Sequence, residues 1–253
     1  MKSPHLLVAL FLSFSLVWAQ EPEKKEDPPV DPSPTEETIA ALQKVVDGLE
    51  QATKDKSDVD ILFYTKQVVE TFKGGEEKQQ NDLIGVLTKN LKSRNEEVRN
   101  ATLQALSMTD DRALRPLLKE LNGREAKDDM TYLSDCIAAV GRLHSEKAVK
   151  DLSKLLNHKE NRVIAVTIVA FGDYGKADLG VRKNIVDTLL KRYGSVTSPM
   201  NKSNPSTSEK ERFEALADSF ESTLRRLTRQ ADIKTFDLWD KWYRKDGKKA
   251  KEW

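Results

Sequence analysis

Residues 83–121 read LIGVLTKNLKSRNEEVRNATLQALSMTDDRALRPLLKEL, and this stretch decides the fold. Leu83, Ile84, Leu87 and Leu91 recur at helical spacing and share one face. Ser93-Arg94-Asn95 makes a short turn. Asn95 suits the cap of a second helix, which carries Val98, Ala101, Ala105 and Leu106. The pattern then starts again: Leu114, Leu117, Leu118 and Leu121 precede Leu133, Cys136, Ile137 and Val140. A third round sets Val149, Leu152, Leu155 and Leu156 before Val163, Val166, Ala170 and Phe171. Aligning Ala105-Leu106 with Ala139-Val140 and Ala170-Phe171 gives spacings of 34 and then 31 residues. A pair of short amphipathic helices cannot bury its apolar stripe alone, so successive units must stack.

Towards the N-terminus, two more helices are expected. Ser33-Pro34-Thr35-Glu36 offers a cap, a first-turn proline and a capping box for a helix bearing Ile39, Leu42, Val45, Val46 and Leu49. Another starts near Asp58, places Ile61, Leu62, Thr65, Val68, Val69 and Phe72 on one face, and ends at Gly74-Gly75. Before them, residues 20–33 are acidic and proline-rich, with almost nothing to bury, and read as a disordered spacer. Residues 1–19 carry Lys2, an apolar run from Leu6 to Val17, and the Val17-Trp18-Ala19 exit of a secretory signal peptide. That run is too short for a membrane span. The expected mature terminus is Gln20, and the expected location is periplasmic or extracellular.

Towards the C-terminus, the repeats are expected to fill residues 34–193 and to give way to a loop at 194–207. Two capping helices follow in 208–247. Ser208-Glu209-Lys210-Glu211 opens the first with Phe213, Leu216, Ala217, Phe220, Leu224 and Leu227; Asp232 opens the second with Phe236, Trp239, Trp242 and Tyr243. Residues 248–253 form a basic tail.

The stretch Asn95 to Leu106 resembles the second helix of a HEAT repeat. Asp111-Arg112-Ala113-Leu114-Arg115-Pro116-Leu117-Leu118 and Glu146 to Leu152 resemble the starts of the next units. Val140-Gly141 and Phe171-Gly172 are similar to the apolar-Gly step that closes short bacterial HEAT-like units. Arg99 fits the family's Val-Arg pair, whereas Val163-Ile164 departs from it. The resemblance spans roughly residues 76–193. It implies an all-α fold, a right-handed α-α superhelix, and a scaffold that binds another protein.

The search for chemistry is short. The 42 basic and 41 acidic residues nearly balance, so no overall field recruits nucleic acid. Cys136, the single cysteine, falls on an apolar helix face as a small hydrophobe. His144 and His158 stand at helix–helix turns, and no pairing has metal-ligand spacing. Acidic pairs such as Glu36-Glu37 and Asp110-Asp111 sit at helix starts, where they favour the helix dipole. No enzyme, cofactor or metal site is therefore expected. Asn100 and Asn201 each begin a glycosylation sequon, and neither is given weight.

Two features could bind. From Val163 to Phe171 only Thr167 is polar, so that helix is either covered all round or offers an apolar patch. At the C-terminus, Trp242, Tyr243, Arg244, Lys245, Lys248 and Lys249 mix aromatic and basic groups. Such a mixture suits an anionic envelope polymer, or else the aromatics pack inward and the lysines stay solvated. The resemblance adds one further alternative, a chromophore-handling subunit like the HEAT-like phycobilin lyases; export counts against it.

Overall fold

The computed structural model describes residues 33–253, so the signal segment and all of the spacer but Ser33 lie outside the described residues. Among the described residues twelve α-helices follow in order: α1 Glu36–Asp55, α2 Asp58–Thr71, α3 Glu77–Asn90, α4 Glu96–Ser107, α5 Leu114–Leu121 and α6 Arg124–Asp128; then α7 Met130–Arg142, α8 Val149–Leu155, α9 Asn161–Gly172, α10 Leu179–Thr197, α11 Thr207–Thr228 and α12 Phe236–Trp242. No strand occurs among the described residues.

The helices pair as α1/α2, α3/α4, α5/α7, α8/α9 and α10/α11, and neighbouring pairs stack. The second members form one continuous row, α2–α4–α7–α9–α11. The fold is therefore an all-α solenoid. Its core is a single cluster from Leu42 to Tyr243, with Leu83, Leu106, Leu117, Ile137, Leu152 and Phe171 fully enclosed. At the closest approach, a Cβ on Gly141 would stand 2.7 Å from the Ala170 Cβ, so the apolar-Gly step lets α7 and α9 touch.

Local chemistry sets the boundaries. Asn95 caps α4 as expected, accepting from Glu97 N at 2.9 Å. The α1 start differs: Thr35 rather than Ser33 is the cap, and Thr38 returns the bond to complete the box. This register leaves both Glu36 and Glu37 in the first turn, where carboxylates interact favourably with the helix dipole. Similarly, α11 starts from Ser206 rather than Ser208. Glu209 accepts from Ser206 N at 2.8 Å and from Lys202 Nζ at 2.9 Å. These bonds, the Lys202 one foremost, hold its carboxyl down at about 2.

Three further expectations are corrected. The loop placed at 194–207 is much shorter, because α10 runs on to Thr197 and a 3₁₀ turn covers Ser198–Asn201. Tyr193 and Val196 are buried there, which keeps the chain helical past Gly194. The last helix begins at Phe236, not Asp232, with Thr235 as its cap residue. Finally, α11 is the second helix of a fifth pair and packs along α9, while α12 lies on α10.

The Val163–Phe171 helix is covered. Val163, Ile164, Ile168 and Phe171 are fully enclosed, and Val169 is the one large side chain of this run left exposed. Thr167 satisfies its hydroxyl on the Val163 carbonyl at 2.8 Å. At the other end of the stack, Val69 is exposed rather than on the core face, and Val59 and Phe63 of α2 are also exposed.

Candidate binding surface

The aromatic and basic residues at the C-terminus are used mainly for packing. Trp239 and Tyr243 are buried. Phe236 lies edge-on to Tyr193 of α10 at 5.5 Å between ring centres. Trp242 packs against Trp239 and Trp253, both at 5.7 Å. The Tyr243 hydroxyl donates to the Lys183 carbonyl at 3.0 Å, and Trp253 Nε1 donates to the Gly247 carbonyl at 3.0 Å. Lys183 in turn donates to the carbonyls of Lys248 and Ala250. The basic tail is thereby folded back onto α10.

Of the six residues singled out from sequence, Tyr243, Arg244 and Lys248 line one cavity of about 290 Å³. Trp242, Lys245 and Lys249 do not, and both lysines are exposed. That cavity also holds Asp187 and Asp240, which pair with Lys191 and Arg244 respectively. Its charge is largely compensated, which makes it a poor receptor for an anionic polymer.

A different surface was not singled out by the sequence. On the row of second helices, Thr65, Lys66 and Val69 of α2 face Ala101, Gln104 and Ala105 of α4, Met108 just beyond it, and Arg142 of α7, around a groove of about 560 Å³. Gln104 and Arg142 continue into a smaller hollow of about 140 Å³, with Asn100, Leu103, Asp135, Ala138 and Ala139. Val69 and Met108 are each about half exposed, at 51% and 50%. Lys66 and Arg142 are its only charged groups, and no carboxylate lines the larger groove. In the smaller one, burial pushes the Asp135 carboxyl above its ordinary range, opposed chiefly by Arg162. The Thr65 hydroxyl, buried to 3% exposure, finds no hydrogen-bond partner, and neither does the Asn100 side-chain carbonyl. The signal in the sequence was Met108, an apolar residue just past the end of an amphipathic helix.

The single cysteine and the tyrosine beside it are buried. Cys136 is fully buried, and burial pushes its thiol up to about 12, so it is no nucleophile at neutral pH. Tyr132 beside it is also raised, first by burial, while Arg99 stacks over its ring and pairs with Glu125 at 3.0 Å. Among the described residues no group of His, Cys, Asp and Glu side chains could hold a metal ion, and no helix is long and apolar enough to cross a membrane.

No family model matches this chain, and no curated protein matches it. Among solved structures, a designed armadillo repeat protein is similar over 78% of this chain and 96% of its own, at 13% identity and a TM-score of 0.34. The assignment as a helical solenoid rests on the helix pairing itself.

Proposed function

We propose that this chain is an exported, non-enzymatic scaffold that binds another protein along its row of second helices. The observation that carries the reading is the open groove across α2, α4 and α7. It combines half-exposed Val69 and Met108 with unpaired Lys66 and Arg142, and it lies outside the core. A fitting partner segment presents an aliphatic side chain beside a carboxylate: the first removes apolar surface from water, and the second meets two cations in a partly enclosed site. The HEAT-like sequence pattern supports the same reading, since stacked helix pairs commonly act as platforms.

A photo-crosslinking residue at Gln104 tests this. In the native compartment, it is expected to trap a discrete partner that Arg142→Glu loses. A residue placed at exposed Lys150, on α8, should trap none. Identical adduct patterns from the two positions would remove the proposal.

Export rests on Lys2, the Leu6–Val17 run and Val17-Trp18-Ala19. The protein recovered from its native compartment is expected to begin at Gln20. N-terminal sequencing that returned Met1 would overturn this part alone and leave the groove reading intact.

A further inference from the structure

From the cavity at the C-terminal ends of α7, α9 and α11, we infer a second site that binds a phosphate-type dianion, free or carried on a small organic body. The cavity measures about 640 Å³ and is lined by His144, Gly172, Asp173, Gly175, Lys176, Ala177, Arg226 and Arg229. Three guanidinium or ammonium groups face one carboxylate. Asp173 accepts from Arg226 at 2.9 Å, which leaves two positive charges uncompensated. A dianion is the ligand that neutralises them.

The usual explanation for cations here is weaker than it first looks. Basic residues at helix C-termini stabilise the dipole and bond the free carbonyls. In this cavity other groups already do that work. The His144 and Arg229 backbone N–H groups bond the carbonyls of Gly141 and Arg225, and Arg182 takes those of Ala177 and Leu227. The side chains of Lys176 and Arg229 make no hydrogen bond or ion pair among the described residues.

His144 (φ 52°) and Arg229 (φ 59°) are two of the three non-glycine residues with left-handed backbone among the described residues, and both line this cavity. Each follows a helix end, where a left-handed residue turns the chain away and sets its side chain at the cavity. Arg182, behind the cavity wall, is held below its ordinary range, first by burial and then by repulsion from Arg229.

The glycines shape the floor. A Cβ on Gly172 would stand 3.0 Å from Arg226 Nη1, and one on Gly175 would stand 3.1 Å from the Arg226 carbonyl. The Asp173–Lys176 turn can therefore lie flat against α11 and bring Lys176 round to the same cavity as Arg229. Carboxylates are also anions, but one carboxylate leaves a positive charge behind. A phosphate dianion meets both, and the planar guanidinium of Arg229 suits its paired oxygens. The volume leaves room for more than the oxyanion.

The test is calorimetric titration of the full chain at fixed ionic strength, first with inorganic phosphate and then with glucose 6-phosphate. Saturable one-site binding of at least one is expected. Equal affinity for both would identify the oxyanion alone as the ligand; tighter binding of the sugar phosphate would place its body in the cavity. The double variant Lys176→Gln, Arg229→Asn should weaken binding about tenfold or more, as expected for losing charge-assisted bonds. Asparagine tolerates the left-handed backbone at 229. Should that variant fold poorly, Lys176→Glu alone, at an exposed unpaired side chain, must show the loss. Absence of binding by both probes overturns the inference. So does undiminished binding by the variants, or an equal loss from Lys89→Gln, Lys92→Gln in the basic hollow beside the α3–α4 turn.

Discussion

Deleting residues 233–253 is expected to lower the unfolding free energy by roughly 3–6 kcal/mol, since two large aromatic side chains lose their burial. The two are Trp239, fully enclosed, and Tyr243, 6% exposed. The loss is then felt on α10, where Phe236 leaves Tyr193 and the tail leaves Lys183. Tyr193 stacks on Phe220 at 4.7 Å, so the disturbance passes directly to α11. Neutralising Lys245, Lys248 and Lys249 together should stay within about 0.5 kcal/mol, because these side chains are exposed and make no ion pairs. A thermal melt of the truncated chain that overlaid the full-length curve would refute the role of α12 as the cover of α10.

Changing Leu117 or Leu152 to Ala should cost on the order of 2–5 kcal/mol at each site. Both are fully buried, in α5 and α8, at equivalent places in successive pairs. A solenoid unit is held only by its neighbours, so the damage should spread one pair in each direction. Hydrogen exchange would show it: Leu117→Ala should speed exchange in α3, α4, α8 and α9 while leaving α12 near its original rate. If chemical denaturation placed both variants within about 0.5 kcal/mol of the parent protein, the stacking register would be wrong.

The central helices were legible because each carries its apolar residues at helical spacing and each break has turn chemistry. Asn95 capping α4 is one case. The errors fall where a tertiary contact overrules a local signal. Gly194 reads as a breaker, yet α10 continues through it. There, a Cβ would stand 2.8 Å from the Phe236 ring, so the glycine makes room for α12 instead of ending α10. The stretch Thr207-Ser208-Glu209 allows two capping registers, and Lys202, reaching Glu209 from the preceding turn, favours the earlier one. Of the two readings of the tail, inward packing of the aromatics is the one seen, and the helix they cover is α10. Neither proposed surface is legible as a set in the sequence, where Met108 is the one local sign of the groove. Lys66, Gln104 and Arg142 are nearly forty residues apart in successive steps, and His144 is distant from Arg229. Only the stack brings each set together.

The two ends of the solenoid are finished differently, and this gives the molecule a direction. At α10 an aromatic lid covers the last of the first helices, with Lys183 stitching the tail in place. At α2, Val59 stands 78% and Phe63 59% exposed. Opening events in such a stack spread from whichever terminus has fewer neighbours to hold it. The α1/α2 pair is held by neighbours on one side only, so its amides are expected to exchange faster than those of the central α5/α7 pair.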